Sequence, residues 1–115
     1  MEKLSAVAAS ANVACKLSGY LTFDAAEMTA ERLRPYFDVL IGTFGPSRML
    51  FGSDWPVDVL GGGYAKAVAV ADGLLAGVGE EERARVWSGT ALERYPAAAA
   101  RLETSETDRS NSTKN

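Results

Sequence analysis

Asp54 is the residue whose position in the sequence best suits it for chemistry. It follows a short apolar run at residues 49–51 and lies between Gly52 and Pro56. An apolar run of this length is typical of a buried strand, and glycine and proline mark where the strand ends. Reactive groups of parallel α/β proteins gather at the carboxyl ends of strands, because the loops there converge on a cleft. Asp54 is therefore a candidate catalytic carboxylate, with the alternative that it only holds a turn.

Side-chain alternation along this strand favours the catalytic interpretation. Alternate residues of a strand point to opposite faces, so Leu50 and Asp54 would share one face while Met49 and Phe51 share the other. The bulky face suits packing against helices. The other face tapers through Gly52 to a carboxylate, as expected where a lumen opens into a site.

Three blocks of the sequence occur in an order that is typical of one family. Residues 12–19 read Asn-Val-Ala-Cys-Lys-Leu-Ser-Gly, residues 44–56 read Phe-Gly-Pro-Ser-Arg-Met-Leu-Phe-Gly-Ser-Asp-Trp-Pro, and residues 88–95 read Ser-Gly-Thr-Ala-Leu-Glu-Arg-Tyr. They resemble, in turn, the last strand but one, the last strand and the closing helix of the amidohydrolase-related family. This family comprises metal-dependent TIM-barrel hydrolases and includes sugar lactonases.

The resemblance implies an α/β fold, a partial (β/α)8 TIM barrel. A complete barrel typically needs about 250 residues, whereas this chain has 115. Residues 1–97 are therefore expected to form the last two strand-helix units and the C-terminal helices, as a fragment of the barrel. Residues 98–115 become polar after a short alanine run and lack an apolar stripe, so they are predicted to be a disordered tail.

The resemblance also implies a reaction. Members of the family typically hydrolyse lactones, esters or amides, and a related branch decarboxylates aromatic acids. Asp54 would be a metal ligand or the base that activates water, with zinc or manganese as the divalent metal. A carboxylate beside such a cation stays ionised and can accept a proton from bound water, whose pKa falls to about 7 in favourable cases. The lactonase-like branch is the better match, which implies that Lys16, Ser18 and Trp55 bind a small carbonyl substrate.

Lys16 lies on the second candidate strand, at residues 13–17, on the face opposite Cys15 and Leu17. If Cys15 packs against helices, Lys16 points into the barrel near its mouth. There its charge could bind an anionic substrate group or stabilise a developing oxyanion. The alternative is that Lys16 reaches solvent or forms a structural pair with a neighbouring carboxylate. Cys15 is predicted to be a buried, inert thiol rather than a nucleophile.

The loop after this strand contains two aromatic residues, Tyr20 and Phe23. Barrel loops at this edge line the substrate pocket, so these rings could cover a ring-shaped substrate. They could equally anchor the loop by packing, and that interpretation is slightly favoured.

Histidine is absent from the sequence, whereas sites of the family draw several histidines from earlier strands. One aspartate cannot hold a catalytic zinc tightly, since such a metal usually has about three protein ligands. We therefore expect no tightly bound cofactor and no activity from this chain alone. Two hypotheses stay open. The first is an enzyme fragment, either a truncated gene product or half of a split barrel that a complementing chain completes. The second is a non-catalytic α/β module that binds a partner, or itself, through exposed strand edges.

Composition and charge exclude other classes of protein. The net charge of −3 argues against a nucleic-acid surface. No apolar run is long enough to span a membrane, and the start of the chain does not resemble a leader peptide, so the expected location is the cytoplasm.

Apolar spacing predicts the helices that position the two strands. Thr29 is expected to cap a helix whose apolar stripe extends over residues 33–44. A second helix is predicted at residues 64–76. Residues 80–95 are expected to form two short helices or one bent helix.

Overall fold

Two short parallel strands lie at the centre of the structure, a computed structural model that describes residues 2–22 and 28–113. Strand β1 (Cys15–Leu17) pairs with strand β2 (Met49–Phe51) in parallel register. The expected side-by-side arrangement is confirmed. Strand β1 begins two residues later than predicted, because the amide of Val13 still donates to the carbonyl of Ser10 in the preceding turn, at 3.1 Å. The sheet has two strands within these ranges, so the described part of the chain does not close a barrel.

Helices of different lengths surround the strands. They are α1 (Glu2–Ala8), α2 (Ala30–Phe44), α3 (Gly63–Leu75), α4 (Glu80–Ala84), α5 (Thr90–Arg94) and α6 (Pro96–Ser112). A π-helical segment, Arg85–Gly89, joins α4 to α5, and three 3-10 turns occupy Tyr20–Thr22, Pro46–Arg48 and Val57–Gly61. Among the residues described, no helix has the length and apolar character needed to cross a membrane.

Helix α2 begins and ends where the sequence predicts. The Thr29 hydroxyl accepts a hydrogen bond from the backbone N–H of Arg32 at 3.2 Å, which satisfies one of the donors that a helix start leaves free. At the other end, the N–H of Gly45 donates to the carbonyl of Ile41 at 2.9 Å. Gly45 has a φ of +77°, a conformation that glycine adopts without steric strain.

The hydrophobic core lies between the strands and helices α2 and α3. Its large buried side chains include Leu17, Leu21, Phe37, Phe44, Met49, Leu74, Leu75 and Val86. The rings of Phe51 and Trp87 contact each other with centres 4.7 Å apart, which fixes the end of β2 against the π-helical segment. The buried hydroxyl of Thr90 donates to the carbonyl of Pro46 at 3.3 Å. Of the two arrangements expected over residues 80–95, the structure has the continuous one, a helical run that ends at Arg94 and supports the strand that leads to Asp54.

Arg48 fixes the opposite, amino ends of the strands. Its guanidinium donates to the carbonyl oxygens of Ala8 at 2.8 Å, Ser10 at 3.2 Å and Val13 at 3.4 Å, and its Nε donates to Phe44 at 3.1 Å. Hydrogen bonds from a charged donor are roughly twice as strong as neutral ones. One side chain thereby ties α1 and the approach to β1 to the end of α2.

Helix α6 differs from the disordered tail expected over residues 98–115. The structure has a helix from Pro96 to Ser112, with none of its residues buried. Pro96 suits the first helical position because it needs no hydrogen-bond acceptor there, and the following alanines have the highest helix propensity. The disordered tail was predicted because this segment lacks an apolar stripe. The local helix propensity of the segment favours a helix instead. Residues 114–115 lie outside the described ranges.

Candidate active site

The carboxyl ends of β1 and β2 bring two loops together at one edge of the structure, here called the rim. The ladder extends one step beyond the strands, where the N–H of Gly52 donates to the carbonyl of Leu17 at 3.1 Å. A Cβ atom added to Gly52 would lie 3.1 Å from the Cβ of Ser18, which is closer than ordinary contact. Because Gly52 has no side chain, Ser18 and the backbone that leads to Asp54 can approach each other.

Asp54 lies exposed on the rim with an unusual backbone. Its φ is +61°, in the left-handed region that few residues other than glycine adopt, although aspartate tolerates it better than most. Its Oδ2 atom reaches back over the other loop, 3.7 Å from the place where Gly19 would carry a Cβ. Strain of this kind, on the order of 1–3 kcal/mol, often accompanies functional positions. The carboxylate thus lies between the two strand ends, at the rim that the sequence predicts.

Trp55 presents a large apolar surface next to this carboxylate. Trp55 is 72% exposed to solvent. Its backbone N–H donates to the hydroxyl of Ser53 at 3.2 Å, which fixes the turn on the side of β2. An exposed indole beside an exposed carboxylate is suited to binding a molecule that has one apolar face and one reactive polar group.

Lys16 is not brought together with Asp54. Its Nζ atom lies 5.7 Å from the ring centre of Tyr95, a cation-π contact typically worth about 0.5–1 kcal/mol at an exposed site. The neighbouring Arg94 donates to the carbonyls of Ala11 and Asn12, just before β1. The Lys16 amine therefore lies towards the amino end of β1. The residue is exposed, as the solvent alternative expects, and its described contact is with an aromatic ring rather than with a neighbouring carboxylate.

Tyr20 packs the loop after β1 against α3. Its hydroxyl donates to the carbonyl of Ala67 at 2.6 Å, and burial raises the pKa of Tyr20 to about 12. The described contacts of Tyr20 are those of a loop anchor, the interpretation that the sequence slightly favoured. Phe23, the second aromatic of this loop, lies outside the described residues.

Cys15 is half-buried on the helix-facing side of β1, and burial raises the pKa of its thiol. A raised pKa lowers the fraction of reactive thiolate at neutral pH. Cys15 is thus only partly buried, where the sequence predicts a buried thiol, and its inertness stays a prediction.

Asp58 is a polar residue of the rim that the sequence reasoning missed. It is 1% exposed, and neither oxygen of its carboxylate has a hydrogen-bond partner among the residues described. The turn Val57–Gly61 packs against the loop after β1, and Gly61 lies so close to the backbone of Leu21 that a Cβ there would be 2.4 Å from the Leu21 oxygen. The sequence offers one signal for Asp58, its spacing of four residues from Asp54. That spacing does not indicate that the Asp58 side chain is buried.

The rim does not contain a complete metal site. In residues 2–22 and 28–113, no group of three or more histidine, cysteine, aspartate or glutamate side chains is placed to hold a metal ion, and the sequence has no histidine. Catalytic zinc usually needs about three protein ligands, mostly nitrogen and carboxylate oxygen. The residues present therefore do not fit a catalytic zinc or manganese by themselves.

Comparison with known proteins identifies the class to which this fold and rim belong. The amidohydrolase family model matches residues 1–97. The chain therefore belongs to the amidohydrolase family, which confirms the resemblance seen in the three sequence blocks.

Particular relatives narrow the branch of the family. The chain is 37% identical over 99 residues to the L-fucono-1,5-lactonase of Burkholderia ambifaria and 32% identical over 100 residues to that of Burkholderia multivorans. Each match covers 80% of this chain and 33% of the relative. The chain thus spans about a third of the length of the curated relatives it matches.

Solved structures agree with this relationship. Two crystal structures of an amidohydrolase from Burkholderia multivorans, one with bound zinc and one with bound HEPES, match with a TM-score of 0.73 and 32% identity. The match covers 80% of this chain and 34% of theirs. The described fold is therefore that of one part of an amidohydrolase, and one structural relative holds zinc.

Proposed function

We propose that this chain provides the last two strand-helix units of a lactone hydrolase barrel, with Asp54 as the catalytic carboxylate. The observation that supports this most directly is the position of Asp54, exposed at the carboxyl ends of two paired parallel strands. Loops at that edge supply the reactive groups in barrel enzymes. The lactonase relatives favour hydrolysis over the decarboxylation that a related branch performs.

Asp54 would act as a general base in this reaction. A water molecule that attacks the lactone carbonyl forms a new C–O bond and passes a proton to the Asp54 carboxylate. Cleavage of the ring C–O bond then releases the ring oxygen as an alkoxide, which takes up the proton from Asp54 and becomes a hydroxyl, so that the carboxylate is regenerated and the product is a hydroxy acid. A positioned general base typically contributes a factor of about 10²–10⁴ to the rate.

Ser18 and Trp55 would orient the substrate. Ser18 lies beside Gly52 at the end of β1, so its hydroxyl can exchange hydrogen bonds with a substrate hydroxyl on the rim. The exposed Trp55 ring offers a flat apolar surface for the face of a sugar-derived ring. Lys16 would have to leave the ring of Tyr95 before it could bind an anionic group, and it is the weakest of the three proposed contacts.

The remaining groups of the active site would come from protein outside these two units. The free edges of β1 and β2 are suited to pairing with further strands, supplied by a complementing polypeptide or by a second copy of this chain. Such pairing also supports the second candidate function, a non-catalytic module that binds a partner through its sheet edges. The two candidates differ in whether Asp54 is needed.

A hybrid enzyme tests the proposal. Residues 1–97 replace the matching third of the L-fucono-1,5-lactonase of Burkholderia ambifaria, and hydrolysis of L-fucono-1,5-lactone is measured. We expect the hybrid to turn over, and we expect Asp54→Asn to lower kcat by about 10² or more. Asp38→Asn is the matched control, because Asp38 lies on the surface of α2 and its ion pair among the described residues is a 4.0 Å contact with Arg34. A folded hybrid whose kcat does not change with Asp54→Asn would refute the catalytic role.

A further inference from the structure

The outer edge of β1 is the more open edge of the two-stranded sheet. The N–H of Gly52 donates to the carbonyl of Leu17, so the Leu17 carbonyl points towards β2. Carbonyls of successive strand residues point to opposite sides, so the carbonyl of Lys16 points to the outer edge. It accepts a weak contact from the Cys15 thiol, 3.9 Å away, and no strand within residues 2–22 and 28–113 pairs with this edge. Strand β1 can therefore form backbone hydrogen bonds with one further strand.

An apolar groove lies beside this edge, between β1 and helix α2, and is called the β1 groove here. It consists of three adjoining hollows with volumes of about 490, 110 and 270 Å³, and Tyr36, which is 69% exposed, lines all three. The middle hollow is lined by β1 and its end on one side and by α2 on the other, with Lys16, Leu17, Ser18, Leu33, Phe37 and Leu40 among its residues. An apolar cavity of about 150 Å³ holds a benzene-sized group, so the middle hollow can take an aliphatic side chain.

One extended strand would satisfy both the edge and the groove. Alternate side chains of such a strand point to opposite faces, so one set enters the β1 groove while the other set shares the face of Lys16. The groove requires apolar side chains. The exposed ammonium group of Lys16 favours a carboxylate on the other face. The matching partner is therefore a strand in which apolar residues alternate with polar residues that include an acidic one.

A second copy of this chain does not have that chemistry. A copy related by a two-fold axis would pair its own β1 antiparallel to this one, and the middle residue, Lys16, would then lie opposite Lys16 of the second copy. Like charges directly opposite each other destabilise a strand pair. A copy that offered β2 instead would have to uncover Met49 and Leu50, which are both buried. The charge and burial of the two strands thus favour a different polypeptide.

We propose that the β1 groove binds a strand of alternating apolar and acidic or polar residues, which belongs to the polypeptide that completes the barrel. About two thirds of each lactonase relative has no counterpart in this chain, and that portion is the source of strands that the comparison indicates. The proposal rests on the proposed completion of the barrel by further protein. It does not depend on Asp54 or on catalysis, and it assigns the first contact of the two polypeptides to β1 and α2.

Co-production with part of a relative tests this proposal. The 115-residue chain is produced in the same cells as an affinity-tagged segment of the Burkholderia ambifaria lactonase, the two thirds outside its match to this chain. The relative's own matching third is the positive control. We expect the chain to be retained on the tagged segment, and we expect Tyr36→Lys and Lys16→Glu each to lower retention at least tenfold. Leu102→Lys is the matched control, since Leu102 is an exposed apolar residue of α6 outside residues 1–97, and it should change retention by less than about twofold.

Three results would overturn the proposal. The first is that the chain is not retained under conditions that retain the relative's own third. The second is retention that Tyr36→Lys leaves unchanged. The third is a dimer of the chain alone, measured by light scattering, that Tyr36→Lys dissociates, because the β1 groove would then bind a second copy.

Failure of this proposal is distinguishable from failure of the proposed lactonase function. A chain that is retained in a Tyr36-dependent way, together with a hybrid enzyme that does not need Asp54, would remove the catalytic role and leave the β1 groove as a docking site. An active, Asp54-dependent hybrid together with retention that ignores Tyr36 would do the reverse.

Discussion

The hydroxyl of Tyr20 donates a hydrogen bond of 2.6 Å to the backbone carbonyl of Ala67. This bond joins the loop after β1 to helix α3, the helix that follows the loop of Asp54. This hydrogen bond therefore holds together the two loops of the rim, beneath the exposed carboxylate of Asp54. Loss of this tie should affect stability in a way that depends on pH.

Stability is expected to fall in alkaline solution because the pKa of Tyr20 is raised to about 12 in the folded chain, from 10.0. As the pH rises above about 10, the unfolded chain loses this proton while the folded chain keeps it. The stabilisation is fully present below pH 10 and is lost as the pH approaches 12, amounting to about 3 kcal/mol at most. Urea unfolding across this range measures the loss.

Tyr20→Phe is the control for this pH dependence. The variant should be less stable by about 1 kcal/mol near neutral pH, because the Ala67 carbonyl loses its partner. Cys15 also has a raised pKa and contributes in the same direction in both proteins. The difference between the two curves therefore isolates Tyr20, and equal slopes above pH 10 would contradict the assignment.

Gly61→Ala should disrupt the rim. The added Cβ would lie 2.4 Å from the carbonyl oxygen of Leu21, so one of the two rim loops must shift. We expect a loss of about 2 kcal/mol or more in the free energy of unfolding, within the range for overpacked sites. Gly42→Ala is the matched control, because nothing lies within 4 Å of its added Cβ and the site is helical. That variant should be more stable by about 0.5–1 kcal/mol, and an equal loss in both variants would contradict the packing argument.

Helix α6 is expected to open readily in solution. None of its residues is buried, and an isolated helix of this length is only marginally stable in water. Amide hydrogen exchange should show protection close to that of an unstructured peptide over residues 99–112, and strong protection in α3, which lies in the core. Protection in α6 that equals that of α3 would show that α6 has packing partners that the structure does not contain.

The sequence predicted those elements whose signals are local. Residues 49–51 are apolar and lie between turn residues, which was enough to place β2, and Thr29 marked the start of α2 correctly. The position of Asp54 at the rim followed from the place where its strand ends. Each of these inferences depends on residues within one or two turns of the element itself.

Features that depend on distant contacts could not be predicted. Asp58 is buried by the loop after β1, which lies far away in the sequence, and nothing in its own turn requires burial. The direction of Lys16 is set by the ring of Tyr95, near the other end of the chain. Helix α6 shows the opposite case, because the local propensity of its alanines favours a helix where the missing apolar stripe predicted disorder.

A catalytic assay of the 115-residue chain by itself is the most direct test of the proposed active site. The claim is that the rim holds an essential carboxylate, Asp54, but an incomplete active site. Hydrolysis of L-fucono-1,5-lactone is measured with zinc or manganese added and with chelator. We predict no turnover above the uncatalysed rate in either condition, because the described residues do not supply the further metal ligands that catalysis at Asp54 requires. Metal-dependent turnover that Asp54→Ala abolishes would contradict it, since the chain would then contain a complete active site.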